Sequence, residues 1–280
     1  MFQQFTKPFN VGKLKPVCES TNFNVYYDAD NGIVQLFNQG VPFISVEKIK
    51  HRNDALFQSY GQVLTCDEAV LRSKDNRFGL SYQGVKAESL LDHFRRSPHK
   101  FEAYCEQLAL NHIRILAMEG IDSFPKQAQV LAEKIKRADI PDEQKQRVLN
   151  VFQSMPVGNK VCHGDYLPEI LFFNGEGYEV TCFHDICVGE PLSDIARTYI
   201  MLKYGWFAET FFGFRWFGSL LAKWNADTYL DYCKKQIEID DTEFDKWILI
   251  NATARISEDV VESPRLKKLV LDMLKTHKAD

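Results

Sequence analysis

The residues Val161-Cys162-His163-Gly164-Asp165-Tyr166-Leu167-Pro168-Glu169-Ile170-Leu171-Phe172-Phe173 have the types and spacing that can carry chemistry. An apolar lead-in delivers a His-Gly-Asp turn and an apolar strand follows, so the turn presents one carboxylate, Asp165. A carboxylate held this way can take the proton of a substrate hydroxyl. Phosphoryl transfer asks little more of a protein than that, hard oxygen ligands for magnesium, and a Lys against the phosphate charge. A second block, Gly189-Glu190-Pro191-Leu192-Ser193-Asp194-Ile195-Ala196, follows downstream. Its Asp194 either caps the helix that starts there or braces the first turn, and His163 reads as a packing and hydrogen-bonding residue of that turn.

The elements that must hold these blocks change character along the chain. The first ~85 residues read as mostly strand. Asn24-Val25-Tyr26-Tyr27 and Ile33-Val34-Gln35-Leu36-Phe37 flank an Asp30-Asn31-Gly32 turn and predict a hairpin. Helical spacing predicts a helix over Val46 to Tyr60, then short strands around Val63-Leu64-Thr65 and Ala69-Val70-Leu71. Asp75-Asn76-Arg77 predicts a turn and Phe78 to Tyr82 a strand. Helices are predicted over Ala87–Arg96, Phe101–Met118, Gln127–Ala138 and Asp142–Phe152, with Pro141 as a start signal. A two-strand interlude spans Val161 to Cys187, and the chain is helical from Leu192 onward. The resulting expectation is a bilobal α+β fold: a small β-rich lobe over 1–85, and a large helical lobe over 86–280 that carries the segment 161–198.

Composition bounds the function classes. The 280 residues carry a net charge of −4, which gives no nucleic-acid footprint. No run approaches the length of a spanning helix, and no apolar leader opens the chain, so no membrane role is expected. The richest apolar stretch, Trp206 to Trp224, is broken by Glu209, Arg215 and Lys223, and its aromatic run from Phe207 to Phe217 reads as core. Seven cysteines, an odd number with scattered spacing and no Cys-x-x-Cys, read as reduced buried thiols in a cytoplasmic protein. Cys182, His184, Asp185 and Cys187 form a dense group of potential ligands, but their spacing matches no standard zinc site.

The paired blocks resemble the aminoglycoside phosphotransferase and choline kinase group, which shares the protein-kinase architecture. The likeness is carried by Cys162-His163-Gly164-Asp165 and by Gly189 to Thr198. Arg77 to Gly84 is similar to that group's hinge approach, and Leu108 to His112 to its helix before the catalytic loop. Trp247 with Ala254-Arg255-Ile256 is similar to its C-terminal helices.

The resemblance implies magnesium and ATP as cofactors, with Asp165 as catalytic base. Its metal-binding Asn falls on Ile170 without a gap, or on Glu169 with a one-residue shortening. Its metal-binding Asp falls on Cys182, whose sulfur is a soft ligand, with Asp185 three residues on. Its phosphate-binding Lys falls on Gln35, with Glu47 as the helix partner, and its phosphate loop falls on Glu19 to Asn24, which has no glycine.

Those departures imply a degenerate, pseudokinase-like phosphotransferase with weak or absent Mg-ATP transfer that binds a small molecule or a protein. The alternative is an active kinase using Asp165 as base and Asp185 or Glu169 as metal ligands. Acceptor and oligomeric state are not legible.

Overall fold

The computed structural model describes residues 6–19, 23–28, 32–61, 63–205 and 215–276. Its contacts divide the chain into two compact units, residues 1–100 with 168–184, and residues 101–167 with 185–280. The chain therefore leaves the second unit after Leu167 and returns to it at Asp185.

The first unit is built on a six-stranded sheet in the order β1-β5-β6-β4-β3-β2. Its strands are β1 (Thr6–Phe9), β2 (Lys15–Glu19), β3 (Phe23–Asp28), β4 (Gly32–Phe37), β5 (Val70–Ser73) and β6 (Phe78–Tyr82). All pairings are antiparallel except β1 with β5. β4 is buried on both faces, as its unbroken run Ile33-Val34-Gln35-Leu36-Phe37 requires of a central strand. β1 and β2 are the edges. Each carries a proline, Pro8 and Pro16, which weakens the strand signal in the sequence and is tolerated at an edge.

Helix α1 (Phe43–Tyr60) packs on β5 and β6 through Phe43, Val46 and Leu56, and stops at Gly61, whose φ of 62° a left-handed cap needs. The strand expected over Val63 to Thr65 does not form. Asn53 of α1 takes that segment's backbone groups instead, donating to the Leu64 carbonyl at 3.1 Å and accepting from the Cys66 N–H at 2.9 Å. Helix α2 (Leu90–Arg96) starts later than Ala87 because Ser89 and Asp92 close a reciprocal capping box. The hairpin of β8 (Leu171–Phe173) and β9 (Tyr178–Val180) completes this unit and contacts α2. The Asp30-Asn31 turn lies outside the described residues.

The second unit is helical: α3 (Phe101–Leu116), α4 (Gln127–Arg137), α5 (Asp142–Gln153), α6 (Pro191–Tyr204), α7 (Arg215–Lys234), α8 (Asp241–Ile256) and α9 (Ser263–Thr276). A two-stranded ladder of β7 (Lys160–Cys162) with β10 (Cys187–Gly189) sits among them. The interlude between Val161 and Cys187 thus holds four short strands, not two. Its β8 and β9 pair with each other, and β7 pairs with the strand that brings the chain back.

Helix α8 is the hub. It packs against α4, α5, α6 and α9 and buries Phe244, Trp247, Leu249, Ile250 and Ile256. Asn251 ties it to α6, donating to the Ser193 carbonyl and hydroxyl, both at 3.1 Å. The aromatic run Phe207 to Phe214, with the Trp216 and Phe217 side chains, lies outside the described residues. No helix among the described residues is long and apolar enough to cross a membrane.

The hub position makes α8 sensitive to truncation. Leu249→Ala removes a fully buried side chain and is expected to cost about 2–5 kcal/mol in urea-induced unfolding, with the cooperative transition retained.

Candidate functional site

The His163-Gly164-Asp165 turn is held from below by one buried carboxylate. Asp194 sits in the first turn of α6, and its oxygens accept the backbone N–H of His163 at 2.7 Å and of Gly164 at 3.0 Å. A third donor is His112 Nε2 of α3, at 3.1 Å. Because a carboxylate only accepts, His112 must carry a proton on Nε2, and its Nδ1 lies 2.6 Å from the Tyr229 hydroxyl. Tyr166, stacked on His112 at a centroid distance of 4.0 Å, donates to the Leu108 carbonyl at 2.8 Å. Burial pushes the Asp194 carboxyl up, but the His112 hydrogen bond and charge, then the charge and backbone N–H of His163, outweigh it and hold it below its usual range.

Gly164 is fixed by a different constraint. Its φ is +84°, and a Cβ built there would lie 2.5 Å from the Asp185 carbonyl oxygen. Only glycine allows the Asp165 turn and the Asp185 turn to pack backbone to backbone.

Arg197 of α6 lies beside this junction, 8% exposed at its side chain. It donates through Nε to the Gly164 carbonyl and forms a two-pronged pair with Glu258, at 2.9 and 3.1 Å. The same guanidinium reaches Asp165 at 3.5 Å and Asp185 at 4.0 Å. Lys134 of α4 adds a second cation, 2.8 Å from Glu258 and 3.7 Å from Asp185. Arg255 adds a third, 3.0 Å from Glu258 and 2.7 Å from Glu262. Three cations (Lys134, Arg197, Arg255) thus face four carboxylates (Asp165, Asp185, Glu258, Glu262). Burial raises the Glu258 carboxyl, but Arg197, Lys134 and Arg255 together bring it down to about 2.

In the sheet unit, Gln35 on β4 is fully buried. Its Oε1 accepts from the Tyr82 hydroxyl at 3.4 Å, and its Nε2 has no hydrogen-bond partner. Tyr82 ends β6, is fully buried, and its hydroxyl also meets the Cys182 backbone. Cys182 is buried at a φ of 61°, a conformation that costs a non-glycine residue about 1–2 kcal/mol. His184 caps that kink, donating its N–H to the Cys182 carbonyl at 2.8 Å, and its ring meets Phe23 edge-on at 4.6 Å. Ile170 is buried, and its carbonyl accepts the Thr181 N–H at 3.1 Å and hydroxyl at 2.9 Å. Glu169 is half-buried in the single turn Pro168–Ile170. Glu47 is half-buried on α1, and no ion pair to it occurs among the described residues. Residues 20–22 of the phosphate-loop segment lie outside the described residues.

The donor set does not fit a hard dication. Ile170 is apolar, the Cys182 sulfur is soft, and Asp165 and Asp185 already face the Arg197 guanidinium. Among the described residues no group of three or more His, Cys, Asp and Glu side chains is placed to hold a metal ion. The six cysteines described are all free and buried.

No family model and no curated protein matches the sequence. Solved structures do match. A choline kinase, LicA from Streptococcus pneumoniae, is 11% identical with a TM-score of 0.59, covering 94% of this chain and 93% of that one. A thermostable mutant of the aminoglycoside phosphotransferase APH(4)-Ia is 12% identical with a TM-score of 0.62, covering 94% of each. The amicoumacin kinase hAmiN, in complex with AMP-PNP, Ca2+ and Ami, is 11% identical with a TM-score of 0.59, covering 97% of this chain and 91% of that one. This chain has their fold. It is the kinase-like bilobal α+β architecture, present over nearly the whole length.

The sequence reading missed the basic side chains around Asp165. Arg197 was visible as the last charge of the Gly189 block, but nothing along the chain links it to Glu258, 61 residues away. Lys134 and Glu258 stand in unremarkable helical contexts. His112 and Tyr166 lay inside segments already noted, and a buried His on an apolar helical face was the available signal.

Two outcomes follow from this geometry. Asp194→Ala leaves the turn's N–H groups without their acceptor and is expected to cost roughly 3–5 kcal/mol in chemical denaturation. Glu258 has a folded-state carboxyl depressed from 4.5 to about 2. Its contribution, roughly 3 kcal/mol at most, is present above the unfolded value and is lost as pH falls toward about 2. Unfolding free energies measured from pH 6 downward should therefore fall less steeply in Glu258→Gln than in the wild type.

Proposed function

We propose that this chain is a degenerate member of the phosphotransferase group, with weak or absent Mg-ATP transfer, that acts by binding a small molecule or a protein. The observation that carries the reading is Arg197, whose guanidinium stands 3.5 Å from Asp165 and 4.0 Å from Asp185. In the family pattern such carboxylates serve a metal and a substrate hydroxyl. Here a fixed cation already answers both.

A unit cation about 4 Å from a dication, at an effective dielectric of ~20, repels it by roughly 8 kcal/mol and so offsets the pull of one carboxylate at the same distance. Arg197 cannot lose its charge to relieve this, and Lys134 adds to it beside Asp185. The neutral Gln35 supports the same reading, since it offers phosphate a hydrogen bond and no charge. The amicoumacin kinase of like fold is bound to AMP-PNP and Ca2+. In the present chain Asp165 and Asp185 face Arg197 instead, so no transfer step is assigned to it. A small-molecule ligand of the kind such structures hold, or a protein, is the occupant this reading expects.

A thermal-shift titration with millimolar ATP and magnesium tests it. Binding at 100-fold over Kd would add about 2.7 kcal/mol, a rise of several degrees for a chain of this size. No rise is expected, and ADP release should match that of Asp165→Asn. A magnesium-dependent rise, with ADP release lost in Asp165→Asn, favours instead the active kinase with Asp165 as base.

A further inference from the structure

The two strands that deliver the Asp165 and Asp185 turns carry a facing pair of cysteines. In the β7–β10 ladder Cys162 stands directly opposite Cys187. Cys162 Sγ lies 3.8 Å from the Lys160 carbonyl and 3.7 Å from the Glu190 carbonyl. Cys162 immediately precedes His163, and Cys187 follows Asp185 by two positions.

From this geometry we propose that Cys162 and Cys187 are a redox-sensitive pair, joined as a disulfide by a small oxidant of the peroxide class. Directly opposed residues of an antiparallel ladder have Cα atoms about 4.5–5.5 Å apart, inside the range disulfides adopt, roughly 4.4–6.8 Å. Their Cβ atoms, about 4.5–5.5 Å apart, must close toward the ~3.8 Å usual for a disulfide. The bond therefore forms under mild strain, the condition that makes a disulfide easily reduced again.

The chemistry balances with one peroxide. Cys187, the less completely buried of the two, attacks the peroxide oxygen. The O–O bond breaks, a sulfenic acid forms on Cys187 and the first water leaves. Cys162 sulfur then attacks the Cys187 sulfur and expels hydroxide, which takes the Cys162 proton and leaves as the second water. Two thiols are oxidised and one peroxide is reduced. Cys162 is the second thiol because it is fully buried, and the neighbouring Cys187 thiol, then that burial, push it well above the usual thiol range. It is a poor first nucleophile.

The position gives the bond a consequence. The chain between the two cysteines holds both turns and the whole excursion 168–184 into the sheet unit. A disulfide would staple the neck of that excursion and reduce the freedom of Asp165 and Asp185 together. This holds whether or not the site transfers phosphate.

The test uses the full chain, reduced, then treated with hydrogen peroxide below its melting temperature, alkylated and digested without reductant. Mass spectrometry should find the Cys162 and Cys187 peptides linked with the loss of two hydrogens, and dithiothreitol should release them. Cys162→Ala and Cys187→Ala should each abolish the link. Amide exchange across His163 to Ile186 should slow in the oxidised wild type. A link that appears only after urea unfolding, other pairings among the seven cysteines, or sulfinic acid without linkage would overturn the proposal.

Discussion

A buried guanidinium cannot shed its charge, so every group around Arg197 has to answer it. Glu258 supplies a bidentate partner and the Gly164 carbonyl a further acceptor. Asp165 and Asp185 complete the ring at longer range. This single side chain connects α6 and the carboxylate that follows α8 to the two turns whose acids could do chemistry. Lys134 and Arg255 extend the lattice to α4 and to Glu262. The arrangement is stable because the charges alternate. On the proposed reading the same pairing competes with an added dication for Asp165 and Asp185, which already face Arg197.

The sheet unit repeats that theme with neutral groups. Gln35 fills the central position on β4, bonded to Tyr82 and left with an unpartnered Nε2. Tyr82 meets the kink at Cys182, and Phe23 meets His184 just beyond it. An orphaned buried amide hydrogen costs about 1–3 kcal/mol, and the left-handed Cys182 adds its own strain. On the proposed reading, the backbone elements of a kinase-like fold persist while the side chains that the resemblance assigns to its ionic positions are neutral, soft or already paired.

Periodicity exposed most of the helices through the spacing of their apolar residues, while the Ser89 capping box that sets the start of α2 went unread. It did not expose β1 and β2, whose prolines mask short edge strands, nor the four-strand character of 161–187. Three-residue strands such as β8 and β9 are too short for any periodicity to register. At the site, the His163-Gly164-Asp165 turn and Asp194 were legible because chain geometry is local there. The Arg197–Glu258 pair was not, since its partners are far apart in sequence and ordinary in composition. The placement of one fixed cation, Arg197, beside both Asp165 and Asp185 needed the fold.

The central claim is that Arg197 takes the place a divalent ion would need. Electron paramagnetic resonance of Mn2+ titrated into the wild-type protein with ATP measures this directly. The account predicts that the signal matches that of the same Mn2+ and ATP mixture without protein through the millimolar range. A bound-ion population in the wild type that disappears in Asp165→Asn or Asp185→Asn would contradict it.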